Sequence, residues 1–181
     1  MRKLEHTEIE KKRLKSDDIT GAPRIPLTVV VDNVRSLYNV GSIFRTSDGA
    51  MIQELILTGY TPTPPRKEIE KTALGATKSV PWSYIKDPLE AVSTLARRGL
   101  KTCCLEITDR SVPYHAVLPT DFPLCLVIGN EITGISREVV AQCDQALEIP
   151  MYGLKHSLNV AVAYGVAVFE LARIWRSGRL L

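Results

Sequence analysis

Three short segments set polar side chains beside glycines in a way that could hold a ligand. The first is Asn33-Val-Arg-Ser-Leu-Tyr-Asn39-Val-Gly41-Ser-Ile-Phe-Arg45-Thr46, straight after an apolar run ending at Asp32. Asn39, Gly41 and Arg45 recur on one side of a nascent helix at a strand's C-terminal edge, where open α/β sheets place their ligands. Glycine lets backbone and ligand approach closely, and an arginine one turn in can grip a phosphate bidentately. A plain helix start with a surface arginine accounts for the same spacing. The second segment is Gly129-Asn130-Glu131-Ile-Thr-Gly134-Ile135-Ser136, after the apolar Leu126-Val-Ile. Its glycines have P-loop spacing, but Ile135-Ser136 stands where a nucleotide triphosphatase needs Lys-Ser/Thr. What is left is a loop on which a flat ligand could lie beside an acid. The alternative is a tight turn with Glu131 in the first turn of a helix, favoured there by the macrodipole. The third is Ile149-Pro150-Met151-Tyr-Gly-Leu-Lys-His-Ser157-Leu158-Asn159-Val160. Here an apolar loop leads to Ser157, a serine fit to cap a long helix, with Asn159 two residues in.

Other chemistries lack their residues. His6, His115 and His156 are too scattered for a metal site, so none is expected. No Gly-x-Ser-x-Gly elbow accompanies His156-Ser157, which argues against a hydrolase triad. No Gly-x-Gly-x-x-Gly dinucleotide fingerprint occurs. Trp82 and Trp175 are read as packing residues.

Strands alternating with helices must position these segments. The β-branched Leu27–Val31 reads as a buried strand and Asn39–Ala50 as a helix, with a second strand over Gln53–Thr58. Pro62, Pro64 and Pro65 force a loop over 60–66. Helices follow near 67–74 and 87–98, the latter opening on Asp87-Pro88, and Leu100–Ile107 is the next strand. Phe122–Ile128 and Ala146–Ile149 complete the strands, with a helix through Ala141 between them and a long one from Ser157 to about Trp175. This alternation predicts an α/β fold around a mainly parallel sheet flanked by helices.

The 181 residues suit one domain with a core that needs neither disulfide nor metal, since 45% are hydrophobic. A net charge of +3 permits nucleic-acid binding without demonstrating it. Cys103, Cys104, Cys125 and Cys143 form no CxxC pair and read as reduced thiols. No signal peptide and no apolar run of about 20 residues is present, so no membrane is expected and the chain reads as cytoplasmic. Residues 1–24 form a charged arm, with Glu8 and Lys12, then Lys11 and Lys15, at i,i+4 spacing. Residues 25–176 form the main domain, and 177–181 a basic tail after Arg173 and Arg176, bearing Arg179.

Together the three segments resemble the signature motifs of the SpoU (TrmH) family of RNA 2′-O-methyltransferases, within the SPOUT superfamily. Asn39-x-Gly41-x-x-x-Arg45-Thr46 is similar to the first motif, and Gly129-Asn130-Glu131-x-x-Gly134 to the second. Ile149-Pro150-Met151 with Ser157-Leu158-Asn159-Val160 is similar to the third, and Lys71–Ala76 resembles the family's Ser-x-Gly-Ala segment with Ala73 in place of serine. The similarity covers about residues 27–172, and the order of the motifs is its most specific feature. The resemblance implies a deep trefoil knot at the C-terminal side, in which S-adenosyl-L-methionine lies bent. Leu105, Gly129, Ile149, Met151 and Leu158 would form its pocket. It implies a homodimer, with Arg45 as the catalytic arginine reaching toward the partner's cofactor. Asn39, Glu131, Ser157 and Asn159 would orient the ribose and Arg45. An arginine is effectively always charged, so gripping phosphate and stabilising charge suit it better than acting as base. The expected reaction is methylation of a ribose 2′-hydroxyl in structured RNA. tRNA is favoured over rRNA, because no separate N-terminal RNA-binding domain is expected. The alternative is a non-catalytic RNA-binding or assembly protein on the same fold.

Overall fold

A computed structural model describes residues 1–11, 14, 18, 19 and 21–178. The expected pairings of Lys12 and Lys15, and Arg179 of the tail, lie outside the described residues. A single helical turn, α1 (His6–Glu10), occupies the N-terminal arm. The strands are β1 (Ile25–Asp32), β2 (Ile52–Thr58), β3 (Trp82–Ile85), β4 (Lys101–Leu105), β5 (Val112–Pro113), β6 (Leu124–Ile128) and β7 (Gln145–Glu148). The further helices are α2 (Leu37–Ala50), α3 (Lys67–Ala73), α4 (Ala76–Ser79), α5 (Pro88–Arg97), α6 (Arg137–Gln142) and α7 (Val160–Ser177). The strands make one sheet in the order β3-β2-β1-β6-β4-β7-β5, with every paired neighbour parallel.

The near-continuous apolar runs of β1 and β6 follow from burial on both faces, which parallel sheets impose. Val29, Val31, Leu126 and Ile128 pack against α2 and α7 through Val40, Ile43, Phe44, Tyr164, Val168 and Leu171. On the opposite face Val30, Ile56, Cys104, Cys125 and Val127 meet Ala91, Val92 and Leu95 of α5 and Val139 of α6. Val31 is level with Ile128, and Asp32 with Thr58, so the loops after β1, β2 and β6 leave the sheet at one edge. That edge carries the site.

Two strands were not expected from the sequence. β3 is a half-exposed edge strand whose four residues, Trp-Ser-Tyr-Ile, show no apolar run. β5 has only two residues, held by pairing with β7. Trp82 does pack, meeting Phe44 edge-on at 6.1 Å, and Trp175 lies 5.2 Å from Phe122. The cysteines are free, with Cys103, Cys104 and Cys125 buried and Cys143 half-buried. Burial pushes the Cys103 thiol up to about 12, so it stays protonated. No helix of the described residues is long and apolar enough to cross a membrane.

Candidate active site

The C-terminal ends of β4, β6 and β7 open into a cavity of about 930 Å³. Leu105, Gly129, Ile149, Met151 and Leu158, the five residues expected to hold a cofactor, all line it. Glu131 and Ser157 also reach it, whereas Asn39, Arg45 and Asn159 do not line it. Aliphatic side chains make about half of the walls, with the charged Glu106, Asp109, Arg137 and Glu148 among them, and the volume lies at the upper end of ordinary small-ligand pockets. Such a lining suits a flat nucleoside with a polar tail. Among the described residues no cluster of His, Cys, Asp or Glu could hold a metal ion.

The loop after β6 closes on itself. Asn130 and Gly134 exchange backbone hydrogen bonds of 3.1 and 3.0 Å. A Cβ on Gly129 would stand 2.6 Å from the Gly134 carbonyl carbon and from the Ile135 nitrogen. Gly129 is therefore required by the turn itself. A larger residue here would force the loop apart before it filled the cavity. Gly134 takes φ +66°, a conformation costly for other residues, and its free side faces the Glu106 carboxylate.

Glu131 is not in the first turn of its own helix. It stands in the loop, and α6 begins only at Arg137, capped by Ser136, whose hydroxyl accepts from Val139 N–H at 3.3 Å. Glu131 instead reaches the start of α2, where its carboxylate accepts from the Arg35 and Ser36 N–H groups, both at 3.0 Å. The Asn39 side-chain amide donates to the same carboxylate at 2.8 Å. Burial pushes the Glu131 carboxyl up, but the Arg35 N–H, the Asn39 amide and the Ser36 N–H outweigh it and hold it below the usual carboxylate value. Asn39 in turn accepts from Asn159 Nδ2 at 3.2 Å. One polar chain thus links all three motifs: Glu131, Asn39, Asn159.

Asn159, not Ser157, caps the long helix. Its side-chain oxygen accepts from Ala161 N–H at 3.0 Å and Val162 N–H at 3.4 Å, and α7 starts at Val160. Ser157 is exposed at the cavity rim, in a loop that continues past it. An apolar loop running into a serine suggested the cap, but the N-cap position falls two residues later, where asparagine serves equally well.

Asn39, Gly41 and Arg45 do not share one environment. A Cβ on Gly41 would collide with Thr72 Oγ1 and the Ile69 carbonyl, so this glycine lets α2 sit against α3 and approaches no ligand. Arg45 is exposed and has no hydrogen-bond or ion-pair partner among the described residues. It lies one turn before Gly49, whose Cα side faces the Phe169 ring of α7.

Several residues that build the site were not foreseen. Asn130 is buried and its side chain makes four hydrogen bonds, donating to the Asn33 carbonyl (2.7 Å) and Tyr60 hydroxyl (2.9 Å) and accepting from Ile132 and Thr133 N–H (2.8 and 3.0 Å). Glu106, just beyond β4, accepts from Ile107 and Ile135 N–H, both at 3.0 Å, and so pins the glycine loop to the neighbouring strand. Asp32 is buried at the end of β1; burial raises its pKa, against hydrogen bonds from Asn33 and the Ser136 N–H. The available signal was positional: each is a polar residue at the C-terminal end of an apolar strand run or within two residues of it.

A model of the SpoU rRNA methylase family matches residues 26–169. The chain belongs to the SpoU rRNA methylase family. Among its relatives in this family, the tRNA (guanosine(18)-2′-O)-methyltransferase of Aquifex aeolicus is 31% identical over 171 residues, covering 94% of this chain and 80% of the relative. The 23S rRNA (guanosine-2′-O-)-methyltransferase RlmB of Vibrio parahaemolyticus is 32% identical over 157 residues, 87% of this chain but only 63% of that protein. The solved A. aeolicus TrmH/SpoU tRNA modifying enzyme matches with a TM-score of 0.81 at 31% identity, over 94% of this chain and 86% of the other. An AdoMet-bound rRNA methyltransferase from Sinorhizobium meliloti matches at 0.75 and 29% identity, over 81% of this chain and 56% of that one. The SpoU fold and the parallel sheet of this chain agree.

Proposed function

We propose that this protein transfers the methyl group of S-adenosyl-L-methionine to a ribose 2′-hydroxyl of structured RNA, with tRNA favoured over rRNA, and that it works as a homodimer. The observation that carries the reading is the Glu131–Asn39–Asn159 chain at the mouth of a cavity where Leu105, Gly129, Ile149, Met151 and Leu158 converge. When bound there, the cofactor supplies a methyl group activated on a sulfonium. The residues of the chain do the rest. The aliphatic side chains of the lining would hold the adenine and exclude water around it. Glu131, fixed by two backbone N–H groups, sets the Asn39 amide, and Asn39 sets Asn159. A row of oriented amides is thereby presented to the ribose. Arg45 grips the phosphate beside the target ribose and stabilises the charge developing on its oxygen.

Arg45 lies outside its own protomer's cavity lining, and a dimer accounts for this. Val162, Val166 and Phe169, at i, i+4 and i+7 on α7, are 53%, 37% and 54% exposed. This apolar stripe runs beside the Gly49 end of α2, on the same face as Arg45. A second copy seated on the stripe would receive Arg45 at its own cavity.

The finer topology proposed is a deep trefoil knot. In support, β6 inserts between β1 and β4, and β7 between β4 and β5, so the late strands enter gaps between strands already laid down. The methyltransferase unit is residues 25–176, flanked by a charged arm, 1–24, and a basic tail, 177–181.

The test is calorimetry with S-adenosylmethionine, followed by incubation of the protein, tritium-methyl cofactor and bulk RNA. Binding plus acid-precipitable label in RNA is expected. Cofactor binding without transfer to any RNA would favour the non-catalytic RNA-binding alternative, and no binding would defeat the reading.

A further inference from the structure

A second cavity, of about 480 Å³, opens on the other side of the Glu131 contact, between the 59–66 loop and β3. Its wall includes two arginines, Arg35 and Arg66, and three aromatic rings, Tyr60, Trp82 and Tyr84. Tyr60 is 60% exposed and Tyr84 47%, yet neither ring is loose. The Tyr60 hydroxyl accepts from Asn130 at 2.9 Å, and the Tyr84 hydroxyl donates to the Gly59 carbonyl at 2.7 Å. Each ring is tethered at its polar end and bare on its face, so stacking on it immobilises little further. The loop that carries Tyr60 is equally fixed. Gly59, at φ +61°, leaves room for the Asn33 side chain, which accepts from Tyr60 N–H at 3.1 Å. Thr61 donates to the Val31 carbonyl at 3.1 Å.

Arg35 and Arg66 are exposed, and neither guanidinium has a hydrogen-bond or ion-pair partner among the described residues. Bare aromatic faces beside unpaired guanidiniums match a ligand with both a π-face and a phosphate. The groove is also wired to the candidate active site. Arg35 N–H donates to Glu131, and Asn130, whose loop lines the larger cavity, holds Tyr60.

We infer that this groove binds one unstacked nucleotide of the RNA substrate, its base against Tyr84 and its phosphate against Arg35 and Arg66. The inference rests on the proposal that RNA is the substrate. It adds that the RNA stretch reaching this groove is unpaired there, because a base paired in a helix offers no free face to it.

The experiment is filter binding of the full-length protein to end-labelled unfractionated bacterial tRNA and, separately, fragmented bacterial rRNA, between about 50 and 200 mM salt. Arg35→Ala and Arg66→Ala should each weaken binding and lower the slope of log affinity against log salt by about 0.7. Tyr84→Leu should weaken binding about tenfold, while Tyr84→Phe, which keeps the ring, should stay within about twofold. Cofactor affinity, read by calorimetry, should be unchanged in all four. Wild-type affinity and slope in Arg66→Ala and Tyr84→Leu, with cofactor binding intact, would overturn the groove, as would a wild-type protein that binds neither RNA. The two ideas fail separately. Methyl transfer with variant-insensitive RNA binding sinks the groove alone, whereas variant-sensitive binding without transfer sinks the methyltransferase reading alone.

Discussion

Glu131→Gln isolates the charge at the centre of the site without changing its size. In the wild type one carboxylate accepts from Arg35 N–H, Ser36 N–H and Asn39 Nδ2, at 3.0, 3.0 and 2.8 Å. A glutamine can turn only one oxygen toward these donors, so its amide group must face at least one of them. A hydrogen bond to a charged group contributes about 1.5–3 kcal/mol against about 0.5–1.5 kcal/mol for a neutral one, a loss of about 1 kcal/mol per bond. Over three bonds, discounted by roughly half because the site is solvent-exposed, the loss is about 1.5–2 kcal/mol. If Asn39 and Asn159 must be aligned in the transition state, kcat/KM falls about 10- to 30-fold. Cofactor affinity should change little, since the carboxylate is spent on the α2 terminus. Steady-state methyl transfer with calorimetry as control provides the assay. Acid denaturation provides a second readout. The Glu131 pKa is lowered on folding, so its stabilisation is fully present above the unfolded value of about 4.3 and is lost as pH falls through the lowered folded value. The stability gap between wild type and Glu131→Gln should therefore be full above that pH and close below it. Activity within twofold of wild type, or a gap that ignores pH, would refute the reasoning.

Arg45→Ala should keep cofactor binding and lose methyl transfer by orders of magnitude, as calorimetry and the labelled-methyl assay can check. Phe169→Glu puts a charge in the α7 stripe and should turn the proposed dimer into a monomer in light scattering, with loss of transfer. Gly41→Ala drives a methyl group into Thr72 and the Ile69 carbonyl; overpacking of this kind costs about 1–3 kcal/mol, a fall of roughly 2–12 °C in Tm by calorimetric scan. Tyr164→Phe strips the partner from the buried Ser47 hydroxyl, now 2.7 Å away, and should cost about 1–3 kcal/mol in denaturant unfolding while the fold persists.

The central strands were legible because burial on both faces writes itself as near-continuous apolar residues, as in Leu27–Val31 and Leu124–Ile128. β3 and β5 were not, because an edge strand of two to four residues is held by its neighbour and leaves no periodic trace. At the site, the five cavity residues expected from the motifs do converge on one cavity. The role of Glu131 was only half legible. An acid near a helix start was the right physics, but the helix is α2, 92 residues from Glu131 at Asn39, and no local pattern reports such a contact. Gly41 misled for the same reason, since a glycine serving helix packing and one serving a ligand look alike until α3 is in place. Asn130 was overlooked between two more conspicuous neighbours, although a polar residue buried at a strand end must satisfy its hydrogen bonds somewhere.

The most direct measurement is the chemical position of the transferred methyl. RNA treated with the protein and deuterium-methyl S-adenosylmethionine is digested to nucleosides and resolved by mass spectrometry. The account predicts label on the ribose of a 2′-O-methyl nucleoside, and its loss with Arg45→Ala. Label on a base, or label that survives the removal of Arg45, would contradict it.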